Sequence, residues 1–326
     1  MVGRTIFGAV RRLSLIVPKR LFFAQNRDIL LGENLSRRGL SDVIDFFDRS
    51  VEIRKFTYIL VAQGKVEELM DTPNTHEICP TLRIEGLMRH QHQASRFPDV
   101  NLGDFLRFLA AEGQEPYCAV VKVEKNPTHV LRPRTPFDPA PEPLFNIKVA
   151  GAALFRGDKL VGFLNEDETR GLLWIQGRVR GGYLEVPSPV RKGKYVSLDI
   201  LRSEARVVPE ITGDGRLRVT VKIREEANLA ETQGFIYLDR PEVVKRLEAL
   251  QAKTIAREIH SAVRKAQEYK SDVFGFGAAF HRRYPREWRA MKATWNEEFF
   301  PLVEVRVVAD AKIRRAGLRI EPPVVK

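Results

Sequence analysis

Cysteine is scarce in this chain, with two in 326 residues, Cys79 and Cys118, and neither sits at C-x-x-C or Cys/His spacing. That excludes a disulfide scaffold, a zinc ribbon and a dithiol redox motif. Two buried or half-buried free thiols are the preferred reading over a single disulfide between them. Long apolar runs are also missing: no stretch of 18 or more apolar residues occurs, so no transmembrane helix is predicted. The apolar stretch Leu13 to Val17, behind Arg4, Arg11 and Arg12, is too short for a signal-peptide core and precedes no small-residue cleavage site. It reads instead as an amphipathic helix with Ile6, Val10, Leu13 and Val17 on one face. G-x-S-x-G, H-E-x-x-H, Walker A and G-x-G-x-x-G are all absent, as is any repeat of 20 to 50 residues.

Histidine is sparse too. Of six, only His90 and His92 lie close together, two apart and without a carboxylate or cysteine at ligand spacing, so a solvated loop is read there rather than a metal site. His260, beside Ile259, reads as a rim residue. Neither a metal nor a cofactor is expected.

What the chain does have is apolar content for sizeable cores, 44% hydrophobic residues, and a net charge of +12. From Pro241 onward 18 Lys and Arg face 11 Asp and Glu, so +7 of that excess lies in the last 86 residues. Such a balance favours anionic partners without choosing between nucleic acid, membrane and acidic protein.

The pattern predicts an α+β protein of two or three small domains, with mixed sheets flanked by helices. Residues 1–125 form an α/β domain, 126–145 a connector, and 146–326 a second α+β domain. In the first, Asp28 to Leu31 is a short apolar run, Glu33 to Arg49 two helices with Ser41 as a cap, and Lys55 to Ala62 a strand covered on both faces. Helices follow at Lys65 to Met70 and Leu102 to Ala111, and a strand at Tyr117 to Val123. Six of the 19 prolines fall within residues 126–143, which bars helix and central strand there. Beyond it, Tyr195 to Val208 and Arg216 to Arg224 alternate as strands, with a turn at Asp214-Gly215. Pro241 opens the longest helix, with Leu247, Leu250, Ile255, Ile259, Val263 and Ala266 on one side, reaching about Tyr269 over roughly 40 Å. A helix over Pro285 to Phe299 and a strand over Leu302 to Ala309 close the chain.

Two blocks are more distinctive. VAGAALFRGDKLVGFLNEDETRGLLW, from Val149 to Trp174, reads as a strand, a tight Gly157-Asp158 turn, a second strand and a short helix. DVFGFGAAFHRRYPREWRAMKATW, from Asp272 to Trp295, reads as a glycine-punctuated loop running into a helix opened by Pro285. The ordered features G-x-A-x-F-x-G-D-K-L-V-G-x-L (Gly151, Gly157, Asp158, Gly162), E-T-R-G-L-L-W (Arg170, Gly171, Trp174), D-x-F-G-F-G (Asp272, Gly275, Gly277) and P-x-x-W with W seven residues on (Pro285, Trp288, Trp295) resemble the Ger(x)C family, the lipoprotein C subunits of spore germinant receptors. The segment from S-R-R-G-L to F-F-D-R-S-x-E-I-R extends the resemblance over nearly the whole chain. It implies a non-enzymatic subunit working with an A-type subunit and a membrane-embedded B subunit, at the outer face of the spore's inner membrane, in the response to nutrient germinants. Family members carry a leader ending at a lipidated cysteine. The opening G-R-T-I-F-G-A-V-R-R-L-S looks like the interior of the family's first domain, so a truncated or mis-started gene product is expected and no residue here is assigned the anchor.

Three constellations invite chemistry. Glu166, Asp167 and Glu168 behind Asn165 are read as a capped first helical turn, with Arg170 pairing to Glu166 or Asp167, rather than as acid/base groups. FGFG follows a helix instead of a strand, so it is read as a sharp reversal with Phe274 and Phe276 plugging the core, rather than as a phosphate cradle. Arg282, Arg283, Arg286 and Arg289 surround Tyr284 and Trp288, which suggests nucleic-acid binding. Yet Trp288, Met291, Trp295 and Phe299 recur as the apolar stripe of a helix packed against the Pro241 helix. The arginines are left as an exposed basic face: solvated surface, a contact with an anionic membrane or partner protein, or, as the alternative function, a nucleic-acid site.

Overall fold

A computed structural model describes residues 3–19, 21–73, 77, 79–125, 145–233 and 240–314. They form two compact units, one of Met1–Met88, Asp99–Ala110 and Pro116–Gly162, the other of Arg89–Pro98, Ala111–Glu115 and Phe163–Lys326. This differs from the division at 126–145 expected above, because the strand opening at Phe145 joins the N-terminal sheet. The proline-rich connector lies outside the described residues, as do His76 and His129.

The first unit opens with α1 (Ile6–Leu13), capped by the Thr5 hydroxyl, which accepts from Gly8 N at 3.1 Å. Then come β1 (Asp28–Gly32), α2 (Glu33–Arg38), α3 (Ser41–Arg49), β2 (Tyr58–Gln63), α4 (Val66–Met70), α5 (Pro80–Arg89), α6 (Leu102–Ala110), β3 (Tyr117–Lys125), β4 (Phe145–Arg156) and β5 (Lys159–Leu164). The sheet order is β1-β2-β3-β4-β5. β1, β2 and β3 run parallel, and β4 returns antiparallel to β3 with a bulge at Ala150–Gly151. Burial runs without alternation through Leu60–Ala62, Tyr117–Val121 and Ala152–Phe155, as it must where both faces of a strand are covered. Phe105 and Phe108 of α6 meet Phe155 and Tyr117, at ring distances of 5.1 and 4.9 Å. Neither cysteine is in a disulfide; Cys118 is buried in β3, and that burial pushes its thiol far up. The helix α5 has no counterpart in the sequence reading.

Gly157 and Asp158 do form the turn between β4 and β5, which are neighbours in the sheet. The Asp158 carboxylate accepts from the N–H groups of Leu40 and Ser41, both at 3.0 Å, and from the Ser41 hydroxyl at 2.7 Å. Ser41 is therefore the first residue of α3, not its cap: the cap is supplied from 117 residues along the chain. These bonds hold the Asp158 carboxyl below the usual range, so it stays ionised as an acceptor.

The second unit holds α7 (Glu166–Ile175), β6 (Tyr183–Pro187), β7 (Tyr195–Ile211), β8 (Leu217–Thr232), α8 (Pro241–Glu268), α9 (Phe276–Arg283), α10 (Pro285–Met291) and β9 (Glu304–Ile313). Its sheet is ordered β6-β7-β8-β9, antiparallel except for the parallel β8–β9 pair. On β8, Leu217, Val219, Val221, Ile223 and Glu225 are buried while Lys222 and Arg224 are exposed, so one face is core and the other is solvated. The core face meets α8, whose Gln251 amide donates to the Glu225 carboxyl group. The expected stripe of α8 is buried at Leu247, Ile255, Ile259, Val263 and Ala266. The helix expected over Pro285–Phe299 is interrupted. α10 ends at Met291, a 3-10 turn spans Lys292–Thr294, and a single wide π turn spans Trp295–Phe299. The π turn stacks Trp295 on Phe299 while aiming its indole N–H inward at Asp272. The last strand begins at Glu304 and not at Leu302, which is exposed in the preceding turn.

Candidate functional site

The signature residues of the second unit close two buried polar knots. In α7, Asn165 and Glu168 form a reciprocal capping box, which accounts for the acidic first turn as helix chemistry. Arg170, one turn on, does not pair with Glu166 or Asp167. Its guanidinium grips Glu258 of α8 with two N–H groups, the Nε bond measuring 2.8 Å, and its third nitrogen donates to the Tyr183 carbonyl at 2.6 Å. The Trp174 indole N–H completes the carboxylate at 3.0 Å. Both side chains are 3–4% exposed, and such a pair is tolerable only with its remaining hydrogen-bonding capacity filled, as here. Gly171 lies at the crossing of α7 and α8, where a Cβ would collide with the Glu258 carbonyl. Asp167 pairs with Arg96.

The second knot centres on Asp272. One carboxylate oxygen accepts from Gly275 N at 3.0 Å and Phe276 N at 3.1 Å, the other from Gly277 N at 2.7 Å and the Trp295 indole at 2.9 Å. The loop thus cradles an anion at the start of α9, and the anion is the chain's own. Burial pushes the Asp272 carboxyl up to about 6, opposed by these donors, so at neutral pH it remains the acceptor the cradle requires. Gly275 adopts φ +75°, the left-handed turn that aims three successive N–H groups at one carboxylate. A Cβ on Gly277 would stand 2.7 Å from the Trp295 indole nitrogen and 2.8 Å from Trp288. Phe274 and Phe276 are buried and stack at 5.1 Å, as plugs of the reversal.

Trp288 and Trp295 are 1% and 2% exposed. They meet each other at 5.2 Å, and their further ring neighbours are His281, Phe280 and Phe299, on the glycine-loop helix and the π turn rather than on α8. Trp174 is the tryptophan that bonds to the long helix. Sequence reasoning missed Glu258, although a carboxylate set between Ile255 and Ile259 on an apolar stripe is a signal for a buried partner.

Arg282, Arg283, Arg286 and Arg289 are all exposed, and among the described residues none pairs with a carboxylate. Arg282 and Arg283 end α9, where the helix dipole favours cations. Arg286 sits in the first turn of α10, against the dipole, and so has no local reason to be cationic. Both tryptophans are buried, so of the two aromatics that the arginines surround only the half-buried Tyr284 reaches the surface, with Arg283 over its ring.

Two family models match in order: a spore germination protein N-terminal domain over residues 1–123, and "Spore germination B3/GerAC like, C-terminal" over residues 150–317. Spore germination protein KC of Bacillus subtilis is 28% identical over 98% of this chain and 79% of its own length. Spore germination protein B3 of Bacillus subtilis is 25% identical over 91% of this chain and 75% of its own length. The crystal structure of the GerBC protein superposes with a TM-score of 0.67 at 24% identity, covering 92% of this chain and 82% of that one, and shares its α+β fold. On the strength of both matched domains, the chain belongs to the Ger(x)C family of spore germination proteins.

Proposed function

We propose that the protein is a non-enzymatic C-type subunit of a nutrient germinant receptor, assembling with an A-type and a membrane-embedded B-type subunit at the outer face of the spore's inner membrane. The observation that supports this most is the ordered match of both family domains, 1–123 and 150–317. In this reading the signature residues are scaffold, and the working surface is the exposed basic face of Arg282, Arg283, Arg286 and Arg289. A single acyl chain binds a bilayer only marginally, so a lipid-anchored subunit needs further contacts. Each basic side chain near an anionic leaflet adds about 1 kcal/mol, so the four together supply a useful second attachment, to headgroups or to an acidic subunit surface. The test is affinity purification of the tagged chain from spore inner membranes. Recovery of A- and B-type subunits is expected. Recovery of the chain without either, from spores that germinate normally in its absence, would overturn the assignment.

A further inference from the structure

The solvated face of the second sheet is built from the outward side chains of β7, β8 and β9, and its charges are distributed unevenly. At one end Arg218 lies between Glu210 and Glu304 and donates to Glu304 at 3.0 Å. Towards the other end Arg224 lies between Glu204 and Asp310, and Glu226 accepts from Arg202 and Arg314, each at 2.6 Å. The middle differs. Arg206 of β7 stands directly opposite Lys222 of β8. Lys222 faces Val308 of β9, two residues from Arg306. All three cations are exposed, and among the described residues none has a carboxylate partner. Like charges directly opposite on neighbouring strands destabilise a sheet, and diagonal neighbours remain within reach of long side chains. The fold therefore keeps three cations without a carboxylate partner in two adjacent rows, between flanking rows that each set two carboxylates against one arginine.

We infer that this strip, Arg206, Lys222 and Arg306, is a docking point for an acidic segment of a partner protein, one that places two or three carboxylates across the middle of the sheet. Three strands at about 4.8 Å spacing make the strip roughly 10 Å wide, the reach of two or three side chains on one segment. A membrane leaflet fits poorly. It is a continuous anionic plane, and it would press on Glu204, Glu210, Glu304 and Asp310, which bound the strip on the same face. Exposed Val308 and half-buried Val208 give the docked segment apolar contact beside the cations. The inference stands apart from the receptor reading, since it uses neither the basic face of α9 and α10 nor the identity of any subunit.

The full chain tests it with a fluorescein-labelled hexaglutamate peptide, read by fluorescence anisotropy, and with phosphatidylserine vesicles in a parallel sedimentation arm. Replacing Arg206, Lys222 and Arg306 together by Gln should weaken peptide binding about tenfold and leave vesicle binding unchanged. Replacing Arg282, Arg283, Arg286 and Arg289 by Gln should change peptide binding by less than about twofold. Lys222→Glu should abolish peptide binding and raise the melting temperature by about 1–4 °C, because it turns a repulsive pair into an attractive one. Unchanged peptide binding in the triple variant, a loss confined to the vesicle arm, or a lowered melting temperature for Lys222→Glu would each overturn the inference.

Discussion

In the first sheet Leu60, Val61 and Ala62 are buried in succession, whereas in the second Val219, Val221 and Ile223 alternate with half-buried Thr220 and exposed Lys222 and Arg224. The first pattern belongs to strands covered on both faces, the second to a sheet with one side open. A covered sheet leaves its surface roles to loops and helices, while an open one carries a broad charged face that packing does not constrain. In this protein the open sheet belongs to the unit that also carries the buried knots and the exposed arginines. The second unit thus separates its charges: the carboxylates Glu258 and Asp272 are committed inside, while Arg206, Lys222 and Arg306 lie exposed on the open sheet.

The most severe way to break that comparison is to place one charge in each sheet. Val61→Asp, in the covered β2, should cost about 5 kcal/mol or more in denaturant unfolding, since a buried carboxylate would have no partner. Thr220→Asp, on the open face of β8, should stay within about 0.5 kcal/mol. Equal losses would mean the open face is in fact covered.

Glu258→Ala comes next. It leaves Arg170 charged and buried, and should cost about 3–5 kcal/mol, whereas removing both partners for apolar residues of similar size should recover much of that loss. Unfolding midpoints of the two singles and the double give the coupling directly. Gly171→Ala and Gly277→Ala should each cost about 1–3 kcal/mol, by forcing apart α7 and α8 in one case and the paired tryptophans in the other.

A smaller and pH-dependent effect should come from the core side of the open sheet. Burial pushes the Glu225 carboxyl up to about 8, with its bond to Gln251 opposing the shift. The folded state then holds a proton that the unfolded chain releases near the ordinary carboxylate range. This contribution is fully present below about pH 4.5 and is lost as pH rises through about 8, amounting to on the order of a few kcal/mol. Stability measured from pH 6 to pH 9 should fall less steeply in Glu225→Gln than in the parent. Parallel curves would show that Glu225 is ionised throughout.

Local pattern made some of this legible and hid the rest. The 28 residues of α8, the alternation of Arg216 to Arg224 and the Gly157-Asp158 turn were readable because each is encoded by neighbours in sequence. The partner of Arg170 lies 88 residues away, and the residues capped by Asp158 lie 117 to 118 residues before it, so helical spacing pointed to the nearer and wrong partners. The pairing of the Phe145 strand with β3 was hidden for the same reason: proline marks a break in secondary structure but not which strand the chain pairs with afterwards. The π turn at Trp295 escaped because its apolar stripe continues that of α10, and only the position of Asp272 shows that the helix must widen there.

The measurement that bears most directly on the central claim, a receptor subunit working through its exposed basic face, is nutrient-triggered germination of spores in which the gene is replaced by the Arg282, Arg283, Arg286 and Arg289 to Gln variant. The variant should fold with stability within about 0.5 kcal/mol of the parent, because these are surface positions. It should nevertheless germinate slowly in nutrient and co-purify poorly with the other subunits. Germination and co-purification at parental levels, with the variant folded and present at parental abundance, would contradict the account.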